Sequence, residues 1–426
     1  MSIIMKLKKT SLFLILLFTL YPALSLQADD ITVHGYTSPD FEAVKQTFLE
    51  NFTERGDIGA SCTVYYKGEK VVDIWGGHQA AGLKTPWEEY TRTAVYSATQ
   101  GVVSMAYTLA WHLGFFDYDD KISKYWPEFN AEGREGTTVR QLLDMQSGIV
   151  VWPQGIKRKK FLEFMNEPGA LESELLKITP MWEPGKYSGY STDIQGHLCA
   201  VLFQKIDPKG RSIGTFIRQE MTDKLDNEFD LGLPETFPDK NYSKIKIIVP
   251  ISGIFNLHKV SDNMKEVLGN PRSLFYKTMA APAGYDPNIR ECLEVEFAGV
   301  NGVTNARGLA SVYNAFLIED PRIFISPERS PSILYEEASV PEGGNIDRIL
   351  NAPSYYHLGM QKSSPSFDFG SPAAFGFAGA SGSFAYADPQ TGIAYAYVTN
   401  KMDFYSVDPR DIALRETIDE ILKALP

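Results

Sequence analysis

A chain of 426 residues with 44% hydrophobic and 12% aromatic content can bury a large core, which excludes an intrinsically disordered protein and predicts one large domain or two interlocked ones. Its net charge of -12, with no basic cluster beyond Lys157 to Lys160, excludes nucleic acid as a partner, because phosphates demand a basic face. Cys62, Cys199 and Cys292 lack Cys-x-x-Cys spacing and the 6 histidines form no His-x-x-x-His pair, so neither zinc nor any other cofactor is implied.

The first predicted element is an export signal over residues 1–28. Lys6, Lys8 and Lys9 precede an apolar run from Leu12 to Leu20, and Ala23, Ser25 and Ala28 supply the small residues of a cleavage site before Asp29. The run is short for a bilayer span, so membrane contact is expected only in transit, and the mature chain is expected to be secreted or periplasmic. Phe41 to Phe52 then has helical spacing, with Phe41, Val44, Phe48 and Leu49 on one side. Ala60 to Tyr66 and Lys70 to Trp75, joined at Lys67-Gly68-Glu69, read as a hairpin ending at Gly76-Gly77. Ser97 to Leu113 is the next strong helix. Turn clusters at 207–210, 281–284 and 341–344 punctuate a helix- and loop-rich middle. A second hairpin, Gly382 to Ala387 and Ile393 to Asn400, alternates the aromatics Phe384, Tyr386, Tyr395 and Tyr397, and Arg410 to Leu425 closes the chain as a helix.

Strand signals thus concentrate at the two ends. The expected fold is α+β: the two hairpins share one antiparallel sheet, flanked by the first and last helices, and the middle forms an inserted, mostly helical lobe. In domain terms, residues 29–426 form one unit, with 29–100 and about 345–426 as the sheet region and about 101–344 as the lobe. The three cysteines, each among apolar neighbours, are expected to be buried free thiols.

Several blocks stand in order along the mature chain: GASCTVYYKGEKVVDIWGG, YSATQG, DYDDKISKYWPEF, TTVRQLLDMQSGI, EPGKYSGYSTD, GVNGVTNARGLASVYNAF and FGFAGASGSFAYADPQTGIAYAYVTNKM. Together they resemble the serine β-lactamase and penicillin-binding superfamily, most closely class C β-lactamases and family VIII carboxylesterases. The resemblance implies that Ser97 attacks a carbonyl to form an acyl-enzyme. It also implies that Tyr190, in Tyr190-Ser191-Thr192 after Pro184-Gly185, assists proton transfer; Tyr187 fits that spacing less well. The chain departs from the pattern twice. Gln100 stands where the first motif carries lysine, and Phe377, in Phe377-Ala378-Gly379, stands where the third motif carries lysine or histidine.

Two other matches are set aside. Ser261-Asp262-Asn263 imitates a class A motif at the wrong distance from Ser97, and Gly379-Ala380-Ser381-Gly382-Ser383 lacks the final glycine of a nucleophile elbow. Lys186 reads as a solvated loop lysine rather than a replacement cation.

An amide is not a base at neutral pH, and an ordinary phenol with a pKa near ~10 is ionised about once in a thousand at pH 7. A helix N-terminus helps only to hold negative charge. The oxyanion site is expected at the backbone N–H of Ser97 and one from the Ser381 to Ser383 edge, with Gln100, Phe377, Gly379 and Ser381 lining the site. Bland roles stand beside these: Ser97 as a helix cap, Phe377 as core packing, Gly379 as a point of close backbone approach. Two functions follow: a weakened serine esterase taking a small ester or acyl compound, or a non-catalytic pseudoenzyme that binds an acyl, peptide or D-amino-acid ligand.

Overall fold

The computed structural model describes residues 31–425, apart from 83, 153–156, most of 249–284 and 404–406. The export segment, the turn at 281–284, and Ser261 and Asn263 of the set-aside motif lie outside the described residues.

In chain order the main elements are β1 (Val33–Thr37), α1 (Glu42–Thr53), β2 (Gly59–Tyr66), β3 (Glu69–Gly77), β4 (Thr93–Ala94), α2 (Ala98–His112), α3 (Val139–Leu143), α4 (Thr192–Ile206), β5 (Asp230–Leu231), β6 (Gly302–Thr304) and α5 (Ala306–Leu317). Then follow β7 (Tyr356–His357), β8 (Met360–Lys362), β9 (Phe375–Ala378), β10 (Phe384–Asp388), β11 (Ile393–Thr399) and α6 (Pro409–Ala424). Eight strands form one antiparallel sheet in the order β1-β3-β2-β11-β10-β9-β8-β7, and β4-β6-β5 form a small second sheet.

The two hairpins are where the sequence puts them. Lys67 and Gly68 both have positive φ, 51° and 86°, which is the turn a right-twisted two-residue hairpin needs. The hairpins join directly: β2 pairs with β11, Cys62 opposite Tyr397. β1 is an addition that the patterning did not reveal. Its residues are half-exposed on the sheet edge and show no apolar alternation.

Period-two alternation sorts the central strands onto two cores. Phe384, Tyr386, Tyr395 and Tyr397 face α1 and α6, in a cluster with Val44, Phe48, Leu414 and Ile418. Ala385, Ala387, Ala394 and Ala396 face the other way and let α5 approach closely, in the larger cluster that continues into the helical lobe. On α1 the inward face uses Phe52 beside Val44 and Phe48, while Leu49 is only half-buried. At about 1.5–3 kcal/mol for each fully buried large side chain, these two clusters dominate the stability. α2 is apolar almost all round and nearly every residue of it is buried, as a helix at the centre of the domain must be.

The start of α6 is tied to the sheet through Arg410, which is 1% exposed and donates to Asp57 Oδ1 at 2.9 Å and Asp408 Oδ1 at 2.8 Å. Asp57 also accepts from Thr399 Oγ1 at 2.7 Å and from the Tyr397 hydroxyl. All three cysteines are buried, and none forms a disulfide among the described residues. Among the described residues, no helix is long and apolar enough to cross a membrane.

Candidate active site

The strand β4 turns into α2 through Tyr96, whose φ of 48° is a left-handed conformation that costs a bulky residue about 1–3 kcal/mol. This turn sets Ser97 at the head of the helix, where the dipole favours negative charge. Ser97 occupies the cap position with φ -62° and ψ -15°, but its side chain makes no capping hydrogen bond. The bland capping role is therefore absent, and Ser97 lines a cavity. Gly379, just past β9, presses on the same turn. A Cβ there would lie 2.1 Å from the Val95 carbonyl oxygen and 3.2 Å from the Ala98 nitrogen, so only glycine lets the strand end meet the head of the helix.

Tyr190 arrives from the segment before α4. Its N–H donates to Asp347 Oδ2 at 2.8 Å, and its phenol oxygen accepts from Gln100 Nε2 at 3.1 Å. Asp347 is wholly buried and also accepts from the N–H groups of Ile349 and Leu350, each at 2.8 Å. Burial raises its pKa above the ordinary carboxylate value, against the lowering effect of those three N–H bonds. Gln100, 4% exposed, reaches the Gly299 carbonyl as well, at 3.4 Å, while its own Oε1 has no partner among the described residues.

Ser97 and Tyr190 line one cavity of about 210 Å³, together with Tyr356, Gln361, Gly379 and Ala380. Tyr356 lies parallel to Tyr190, with ring centroids 6.5 Å apart. Gln361 Oε1 accepts from the Ala378 N–H at 2.9 Å, which fixes the end of β9. No lysine, arginine or histidine among the described residues lines this cavity.

Several expectations need correction. Phe377 is fully buried behind Tyr190 and Tyr356, 6.4 Å from each ring centroid, so it packs the core and does not line the cavity. Ser381 is also fully buried, bonded through Oγ to Ser383 Oγ at 2.9 Å, and it is Ser383 that reaches the cavity wall. Gln100 stands behind the cavity and acts on it through the Tyr190 phenol. The N–H groups of Gly382 and Ser383 are taken by Gly379 O and Ser381 Oγ, so the 381–383 edge does not supply the second oxyanion donor from those positions. The N–H groups of Ser97 and Ala380 make no hydrogen bond among the described residues, and both residues are in the cavity wall. The Arg348 guanidinium carbon lies over Tyr187, 3.9 Å from the ring centroid, and Tyr187 does not line the cavity. Lys186 is exposed and likewise absent from it. Asp347, Tyr356 and Gln361 carried no motif that announced them; each reaches the site through chain far from Ser97.

A profile of the beta-lactamase family matches residues 46–418. The chain belongs to the beta-lactamase family. Within it, the esterase/beta-lactamase LipL of Mycobacterium tuberculosis (strain ATCC 25618 / H37Rv) is 28% identical over 387 residues, which cover 87% of this chain and 83% of the relative. Among solved structures, a family VIII carboxylesterase is 26% identical with a TM-score of 0.76, covering 92% of this chain and 100% of that one. A penicillin-binding protein homologue from Caulobacter crescentus is 25% identical with a TM-score of 0.78, at the same coverage. The beta-lactamase-like fold read from the order of strands and helices is therefore the fold of the family, and the chain is of its serine hydrolase and esterase type.

Proposed function

We propose that this chain is an exported serine hydrolase that cleaves small, reactive esters slowly through an acyl-enzyme on Ser97. The observation that carries the reading is a single cavity whose wall holds Ser97, at a helix N-terminus, with Tyr190 and the unspent amides of Ser97 and Ala380. In the proposed step, Ser97 Oγ attacks the ester carbonyl carbon while its proton passes to Tyr190. The oxyanion is held by the two amides, and its collapse expels the alkoxide, which takes the proton back. Water then cleaves the acyl-serine.

Gln100 sets the rate. Its hydrogen bond to the phenol orients Tyr190 but lends no positive charge, and loss of a positioned base costs about 10²- to 10⁴-fold. Esters with good leaving groups survive that loss; stable amides and β-lactams do not. Labelling with a fluorophosphonate, read by intact mass and peptide mapping, tests the proposal. An adduct on Ser97 is expected, and none over hours would remove the hydrolase reading. The unpartnered Gln100 Oε1 and the absence of a lining cation among the described residues favour the alternative, a pseudoenzyme that holds an acyl or peptide-like ligand without turnover, which that second outcome would select. Export rests on Lys6 to Lys9 and the Leu12 to Leu20 run; N-terminal sequencing of protein recovered outside the cytoplasm is expected to begin at Asp29.

A further inference from the structure

The end of β9 is held by a side chain at a place where its neighbouring strand has run out. β7 and β8 form a tight hairpin, with Tyr356 opposite Gln361 and His357 opposite Met360. Its turn is Leu358-Gly359, both at positive φ, 49° and 86°. In the β8–β9 pairing Lys362 faces Phe375 and Gln361 faces Gly376, so continuing the register sets Ala378 opposite that turn, beyond the last rung. The Gly359 N–H is spent there on Asp144 Oδ1 at 3.0 Å. A main-chain N–H left without an acceptor beside a desolvated site costs free energy, and Gln361 fills the gap. Its Oε1 takes the Ala378 N–H at 2.9 Å. Chemistry fixes which way round this amide sits, since only its oxygen can face an N–H.

Two residues on, Ala380 carries one of the two amides that hold the oxyanion in the proposed reaction. The chain after it is tied within its own turn: the Gly379 N–H donates to the Ser383 carbonyl at 2.7 Å, and the Gly382 N–H to the Gly379 carbonyl at 2.9 Å. The bond from Gln361 fixes the approach from the other side, at Ala378. Gln361 lines the cavity, and the same side chain is a hydrogen-bond partner of the Tyr356 hydroxyl across the wall. We infer that Gln361 is a positioning residue of the oxyanion site: by holding Ala378 it sets the direction of the Ala380 N–H, and with it the stabilisation of the tetrahedral intermediate. This rests on the proposed reading of Ser97 and Ala380 as the oxyanion donors, and it names the side chain that places one of them.

The test has two arms. In the first, the full chain is labelled at the alanine amide nitrogens, and the NMR signals of Ala378 and Ala380 are assigned by replacing each with glycine. Gln361→Met keeps the length of the side chain but offers no strong acceptor, and both signals are expected to move. Gln361→Asn, one methylene short of the Ala378 N–H, takes its place should the methionine variant fold poorly. Gln361→Glu keeps an oxygen at the same point, and the Ala380 signal is expected to stay near its native position. An Ala380 signal that ignores the loss of the acceptor, or moves as far in Gln361→Glu, overturns the inference whether or not the chain hydrolyses esters. The second arm compares p-nitrophenyl butyrate with its thiono analogue, whose sulfur is a weak acceptor of hydrogen bonds. Deleting an oxyanion donor costs about 10²- to 10³-fold, so displacing one in Gln361→Met should lower kcat for the oxygen ester about 10- to 10²-fold with KM within about twofold. The oxygen-to-sulfur rate ratio should shrink about tenfold. Ile418→Val, which trims the core between α6 and the sheet, controls for lost stability and should leave that ratio unchanged. A ratio that Gln361→Met does not alter, or that Ile418→Val shrinks as much, overturns the inference and leaves the hydrolase reading standing. No turnover by the unmodified chain, with an Ala380 signal that responds as expected, defeats the hydrolase reading alone.

Discussion

The substitution Gln100→Lys restores the amine that the first motif lacks, and the structure sets the size of its effect. The Gln100 amide nitrogen is 3.1 Å from the Tyr190 oxygen and 3.4 Å from the Gly299 carbonyl, so a lysine reaching the same region meets two acceptors. An ammonium about 4 Å from a phenolate, at an effective dielectric of about 20, gains about 4 kcal/mol, which would bring an ordinary phenol down by about three pH units. At pH 7 that raises the ionised fraction from about one in a thousand to about one half. Burying the new charge where Gln100 is only 4% exposed returns part of this gain, so we expect about a 10²-fold rise, at the lower end of what a positioned base supplies. The assay is the initial rate of p-nitrophenyl butyrate hydrolysis against pH, with Ser97→Ala/Gln100→Lys as the control. A folded Gln100→Lys protein with an unchanged rate would refute the reasoning, as would a rise that persists without the serine hydroxyl.

Four other outcomes are expected. Ser97→Ala should change the unfolding free energy in urea by no more than about 0.5 kcal/mol, because the hydroxyl makes no capping bond, whereas removing a true cap costs about 1 kcal/mol; a loss of that size would restore the capping role. Tyr190→Phe leaves Gln100 without its phenol partner and the serine without its proton acceptor, so ester hydrolysis should fall about 10²-fold or more while stability drops by about 1 kcal/mol; an unaffected rate would exclude Tyr190 from proton transfer. Gly379→Ala drives a methyl group against the Val95 carbonyl and should cost about 3 kcal/mol in denaturant melts together with loss of Ser97 labelling; a variant of native stability would contradict the close approach. Asp144 is fully buried, with one carboxyl oxygen unpartnered, and burial raises its pKa to about 6. Between about pH 4 and pH 6 the folded chain keeps this proton while the unfolded chain has lost it, so stability should fall by about 3 kcal/mol as pH rises through that window. Asp144→Asn should flatten this part of the profile measured by urea unfolding; an unaltered slope would assign it to other groups.

Much of the fold was legible because its signals are local. Two hairpins with turn residues, two flanking amphipathic helices and one apolar helix define the sheet, its cover and its centre. The nucleophile and the tyrosine were legible too, since each sits in a short motif that survives as a block. What escaped depends on tertiary contact. Phe377 and Ser381 occupy motif positions, yet strand alternation and a tight turn bury them, while Ala378 beside the one and Ala380 and Gly382 beside the other line the cavity. Asp347 works through the Tyr190 backbone amide from a loop 157 residues away, and no periodicity marks such a residue. Tyr356 belongs to a strand of two residues, too short to announce itself.

The pairing of β2 with β11 has a consequence for how the chain acquires its shape. Ala60 to Tyr66 are made before the helical lobe, and their partners Ile393 to Thr399 only after it. Until those residues arrive, the β2–β3 hairpin has one side of its backbone open and α1 lacks the tyrosines it covers. Completion of the sheet therefore waits until both hairpins and the whole lobe between them have been made.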